Sequence, residues 1–89
     1  MNIVKKSGNV QEFSKEKLAL SILRASDDIK QPLNNADVNY LVNTIEAVIK
    51  EIRNDNTSAY EVFAVTIHCL NKENFQLVAK SYFQGREGE

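Results

Sequence analysis

Cysteine, histidine and proline each occur once in this chain of 89 residues, tryptophan is absent and glycine occurs three times. A single cysteine excludes a disulfide framework within the chain and any multi-cysteine zinc or iron–sulfur centre. With one histidine beside it, a structural metal site would have to rest on carboxylates, a ligand set that zinc rarely uses alone. So little proline and glycine excludes collagen-like or linker character, and neither a Walker-type phosphate loop nor a GxGxxG turn is present. No apolar run approaches the roughly 20 residues that a spanning helix needs, and no signal-peptide core opens the chain. The expectation is a soluble, cytoplasmic protein with no membrane partner. Charge of one sign is lacking too: 11 basic and 12 acidic residues leave a net charge of −1, unlike a duplex-binding module. What is there is ordinary globular material, 43% hydrophobic and 26% charged, which argues against disorder. The length suits one small domain, expected to span 1–89 with its core at about 3–86.

The N-terminal segment reads as extended. Ile3-Val4 and Val10 to Phe13 are short apolar-alternating runs separated by Ser7-Gly8-Asn9, whose Gly and Asn tolerate positive φ. Strands are expected at about 2–6 and 10–13. Ser14 then offers a helix N-cap, with Phe13 and Leu18 at the positions of a hydrophobic staple. Leu18, Ile22, Ala25 and Ile29 lie on one helical face, and Pro32 closes the segment. Asn34 caps a second helix whose stripe runs Val38, Leu41, Val42, Ile45, Val48, Ile49 and Ile52. Asn54-Asp55-Asn56 is a polar break. Ser58-x-x-Glu61 matches the reciprocal capping box, and the third helix behind it is apolar nearly all round, so it is expected to be central and buried. Phe75, Val78, Ala79 and Tyr82 mark a fourth helix ending near Gly85. The fold expected is mostly α with a small β part, a four-helix bundle capped by an N-terminal β-hairpin or short sheet.

No catalytic constellation stands out, so the chain is not expected to be an enzyme. His68 and Cys69 are neighbours on a helix and diverge by about 100°, so they cannot act as a nucleophile–base pair. Asp27-Asp28 at a helix end is ordinarily a solvated turn. The N-terminal lysines are more informative. Lys5 and Lys6 flank a flexible turn, and Lys17 stands in the first turn of a helix, where unpaired amides already favour an anion. A cation at that end opposes the macrodipole and is a poor choice for stability alone. A hairpin folded back on the helix start would let these lysines converge on one polyanion.

The stretch from Ile3 to Leu18, with Lys5, Lys6, Gly8, Phe13 and Lys17 at their spacing, resembles the opening of the ATP-cone domain. Thr57-Ser58-x-x-Glu61-Val62 resembles that family's third helix, and Val78-Ala79-x-x-Tyr82 with Arg86 resembles its closing motif. The resemblance covers about residues 3–86. It implies a small helical bundle under a short sheet that binds ATP or dATP, with or without Mg2+, as an allosteric sensor and with no tightly bound cofactor. Members stand at the N-terminus of ribonucleotide reductase catalytic subunits or behind a zinc ribbon in the repressor of reductase genes. Residue by residue, Lys5, Lys6 and Lys17 would contact phosphate, Gln11 would stand where many members carry an adenine-facing glutamate, and Phe13 and Ser14 would form the base pocket. Thr57 would line it from the third helix, and Arg86 would add a late phosphate contact.

Three positions depart from the family pattern. Ser7 replaces the turn aspartate, which Ser-Gly can still support. Lys6 replaces an arginine and gives up the planar two-pronged fork. Gln11 replaces a glutamate, and its amide can donate as well as accept, which relaxes discrimination of adenine from guanine. The function expected is a stand-alone adenine-nucleotide-binding regulatory domain that acts on a protein partner, with a reductase subunit, a transcription regulator or a second copy as candidates. The alternative is a helical protein-interaction module on the same fold with a degenerate site. Nucleic acid is a poor fit, given the neutral charge and the lack of an aromatic platform.

Overall fold

The computed structural model describes residues 1–53 and 55–87, with side chains as far as residue 85. The described residues form, in order, β1 (Asn2–Val4), β2 (Val10–Glu12), α1 (Lys15–Asp28), α2 (Asn35–Ile52), β3 (Asn56–Ser58), α3 (Ala59–Lys72) and α4 (Gln76–Glu87). This is the mostly helical bundle with a small N-terminal sheet that the sequence led us to expect.

The hairpin closes one residue earlier than its Ser-Gly-Asn signature suggests. Lys5 N donates to Asn9 O at 2.8 Å and Gly8 N donates to Lys5 O at 2.9 Å, so the turn runs from Lys5 to Gly8. Gly8 takes φ +90, the left-handed residue that a three-residue hairpin loop requires. The strands are correspondingly shorter than expected, and Lys6 lies in the turn rather than on a strand.

A third strand was not expected. Asn56–Ser58, the tail of the polar break, lies parallel to β1 with Asn2, Ile3 and Val4 opposite Asn56, Thr57 and Ser58. β1 is therefore the middle strand of a sheet ordered β2-β1-β3.

The three expected caps form. Ser14 Oγ accepts from Lys17 N at 3.2 Å, Asn34 Oδ1 from Asp37 N at 2.7 Å and Ser58 Oγ from Glu61 N at 3.0 Å. α1 and α3 end alike, each with a non-glycine residue in the left-handed region: Lys30 at φ 56 and Asn74 at φ 69. The residue after each reaches back over the last turn, Gln31 N to Ser26 O at 3.0 Å and Phe75 N to Leu70 O at 2.8 Å.

Each helix packs on two others, α1 on α2 and α4, α3 on α2 and α4. Ile22, Leu41, Ile45, Ile49 and Leu70 are fully enclosed at the centre. α3 is less enclosed than its composition suggests. Val62, Val65, Thr66, Cys69 and Leu70 are buried, but Tyr60 is 75% exposed and Ala64 is open, because neighbours cover only one side of the helix. α4 continues past Gly85 to Glu87. A glycine inside a helix costs only about 1 kcal/mol, too little to end one by itself.

Candidate functional site

Strand pairing gathers several of the expected site residues on one face of the sheet. Gln11 and Thr57 both lie opposite Ile3, on its two sides, and residues directly opposite in neighbouring strands point to the same face. Ile3 packs against the core, so this is the face turned toward the bundle. Phe13 N donates to Met1 O at 2.9 Å, which extends the pairing, and the period of two brings Phe13 to the same face. The bond between Lys5 and Asn9 extends it at the other end, and the same period carries Lys5 there. Lys6, exposed in the turn, is off that face.

The start of α1 adds the second part. Residues 11–17 line an open cleft of 480 Å3, which Gln11, Phe13, Ser14 and Lys17 therefore share. Lys5, Lys6 and Thr57 do not line it. Lys15, in the same turn, is tied to Glu46 at 3.3 Å, whereas Lys17, Lys5 and Lys6 have no ion pair among the described residues. The Lys17 ammonium is thus not tied to a carboxylate, although Glu16 shares its helix turn and Glu12 and Glu16 share the cleft. The Arg86 side chain lies outside the described residues.

A more enclosed cleft of 240 Å3 lies between α1 and α4 under Phe63, and none of the expected residues lines it. Its hydroxyls are engaged within the protein. Ser21 Oγ donates to Leu18 O at 2.7 Å, so the 3.2 Å contact with Tyr82 is a donation from the tyrosine, and Ser81 Oγ donates to Ala25 O at 2.8 Å. The shared 11–17 cleft and the inner sheet face are the better candidate for ligand chemistry.

One participant escaped the sequence reading. Glu61 was expected to reach back to its own cap. Instead its carboxylate accepts the Thr57 hydroxyl at 2.6 Å and both its oxygens contact Arg53 Nε, at 3.1 and 3.3 Å. The Thr57 hydroxyl, foremost, and the Arg53 guanidinium hold the Glu61 carboxyl below the ordinary glutamate range, against an opposing pull from partial burial. The available signal was the Thr57–Glu61 spacing of four across the helix start, with an arginine on the approach. Cys69, by contrast, is a core residue whose thiol burial pushes up, the opposite of an activated nucleophile.

Among the described residues no cluster of three or more His, Cys, Asp or Glu is arranged to hold a metal ion, and no helix is long and apolar enough to cross a membrane. The described residues form a helical bundle roofed by a short sheet, with Lys17 and polar side chains at their junction. Residues 1–87 match the family model of the ATP cone domain, and the chain belongs to that family. ATP cone domains bind ATP or dATP and are nucleotide-sensing and regulatory rather than catalytic. No curated protein matches the chain.

Proposed function

We propose that the chain binds an adenine nucleoside triphosphate at the junction of sheet and α1 and passes its binding state to a protein partner. The observation that carries this reading is the convergence of Gln11, Phe13, Ser14 and Lys17 on one open cleft at a helix start. Lys17 and the turn lysines Lys5 and Lys6 supply charge-assisted bonds to the triphosphate, Arg86 adds another, and Phe13 supplies an apolar face for the base. Gln11 and Thr57 contribute hydrogen bonding from the inner sheet face, and Ser14 closes the edge. Mg2+ enters as a companion of the triphosphate. A bound triphosphate ties the hairpin to the start of α1, so the occupied and empty states differ in how firmly the sheet is held. A reductase subunit, a transcription regulator or a second copy of the chain would read that difference, and nucleotide affinity differs between partner-bound and free states accordingly.

Calorimetric titration with ATP and dATP, beside thermal melts, tests the proposal. A ligand at a hundred times its dissociation constant stabilises the folded state by about 2.7 kcal/mol. At about 4–8 °C per kcal/mol for a domain of this size, the melting temperature should rise by about 10 °C or more. Neither heat nor a shift at millimolar nucleotide would favour the second reading, an interaction module with a degenerate site. The exposure of Tyr60 (75%) and Phe83 (45%) on the α3–α4 side supports that reading, since aromatics are enriched in partner-binding surfaces.

A further inference from the structure

The charges that line the 11–17 cleft cancel. They are Glu12, Lys15, Glu16 and Lys17, two of each sign. One of the two cations is moreover engaged outside it, since Lys15 Nζ lies 3.3 Å from Glu46 Oε1 on α2. With Lys15 neutralised there, a single lysine faces two carboxylates, a poor balance for a polyanion. The engagement is weak. The Lys15 side chain is half-exposed, and an exposed lysine–carboxylate pair is worth at most about a fivefold change in an equilibrium. Glu46 also has a second cation at hand. Lys50 Nζ stands 3.9 Å from the same Glu46 oxygen, four residues further along α2, with the glutamate on the N-terminal side as a helical pair prefers.

We propose that Lys15 is a phosphate-binding residue held in reserve: a triphosphate entering the cleft draws its ammonium away from Glu46, and Glu46 passes to Lys50. This deepens the nucleotide-site reading above and rests on it. Lys15 opens α1 and Lys17 follows two positions later, so the two side chains leave the helix about 200° apart. An extended chain of phosphates lying across the helix end can meet both, one on each side. Breaking one weak surface pair is offset by a charge-assisted bond to phosphate, and no carboxylate is left without a partner. The exchange also carries occupancy beyond the cleft. In the empty protein Glu46 ties the start of α1 to α2; in the occupied protein its pair lies within α2 alone. A partner seated on α2 therefore meets two different charge arrangements, and its affinity is coupled to that of the nucleotide.

The test is a double-mutant cycle read by calorimetry with ATP and with inorganic tripolyphosphate, which carries the anionic tail without the nucleoside. Neither Lys15 nor Glu46 belongs to the apolar core, so the variants should fold. Lys15→Ala should weaken both ligands alike, by about tenfold, the worth of a bond to a charged group less that of the pair given up. Glu46→Gln removes the competing carboxylate and should tighten both by about two- to fivefold. That gain must require Lys15: added to Lys15→Ala, Glu46→Gln should change affinity by less than about 1.5-fold. No gain in Glu46→Gln, or the same gain with and without Lys15, would overturn the proposal, the second by showing only a general easing of negative charge. A loss confined to ATP in Lys15→Ala would overturn it too, by placing Lys15 at the nucleoside. So would unchanged ATP binding in Lys15→Ala when Lys17→Ala weakens it, an outcome that leaves the nucleotide site standing. If the unaltered chain binds no ATP, the site reading itself fails and this proposal goes with it.

Discussion

Replacing Lys17 with alanine should move affinity and stability in opposite directions. Lys17 is exposed, makes no ion pair among the described residues and stands in the first turn of α1, where its charge opposes the helix macrodipole. Its contribution to the N-cap is the backbone amide, which donates to Ser14 Oγ at 3.2 Å and survives the substitution. Removing a misplaced charge from a helix terminus is worth about 0.3–1 kcal/mol at low ionic strength. For a domain of this size that is a rise of about 2–5 °C in melting temperature. The loss of a charge-assisted bond to phosphate costs binding about 1.5–3 kcal/mol, or roughly 10- to 150-fold in dissociation constant. Thermal melts without ligand and calorimetric titration with ATP read the two effects on one preparation. Added salt should shrink the stability gain, since the charge is in water. A variant that melts lower than the parent would refute the assignment of Lys17 to an electrostatically unfavourable position. One that melts higher but binds ATP equally well would remove Lys17 from the site.

Ile45 is fully enclosed, and Ile45→Ala should destabilise by about 2–5 kcal/mol, a large share of what an 89-residue domain has to lose; urea unfolding would show it, and a loss under about 1 kcal/mol would mean the centre is packed elsewhere. Lys30 holds φ 56 after α1 with no side-chain hydrogen bond among the described residues, so Lys30→Gly should gain about 0.5–1 kcal/mol, read as a higher urea midpoint. Glu61 has a carboxyl below its ordinary range, so its contribution to stability is complete above the pKa it has when unfolded and drains away as pH falls through its lower folded value. Melting temperatures followed downward from the ordinary glutamate range should therefore fall less steeply in Glu61→Gln than in the parent, and parallel slopes would contradict the ion-pair geometry.

What could be read from the chain was what is local. Ser14, Asn34 and Ser58 announce helix starts because a cap bonds an amide three residues away, and all three bonds are present. The Leu18–Ile22–Ala25 and Val38–Ile49 stripes are likewise properties of single segments, and they supply the α1 and α2 sides of the core. β3 was illegible for the opposite reason. Asn56-Thr57-Ser58 has no apolar alternation, and its strand character comes from pairing with a partner more than fifty residues earlier. The same distance hid part of the site: that Gln11 and Thr57 share a face follows only from their common neighbour Ile3. Glu61 misled because its spacing from Ser58 fits a capping box, while the competing Thr57 and Arg53 become its neighbours only once β3 is in place. The uniform apolarity of α3 hides an open side because hydropathy records how greasy a helix is, not how many neighbours it has.

The order of strands has a kinetic corollary. β1 finds β2 across a turn of a few residues, a search of about 1–10 μs for a hairpin. Its other edge pairs with a segment that lies two helices further along the chain, and bringing such distant pieces together is the entropically more demanding step. The roof of this molecule should therefore be half-built early and completed late, with its two seams opening in the reverse order when the chain unravels, which pulse-labelling hydrogen exchange would read.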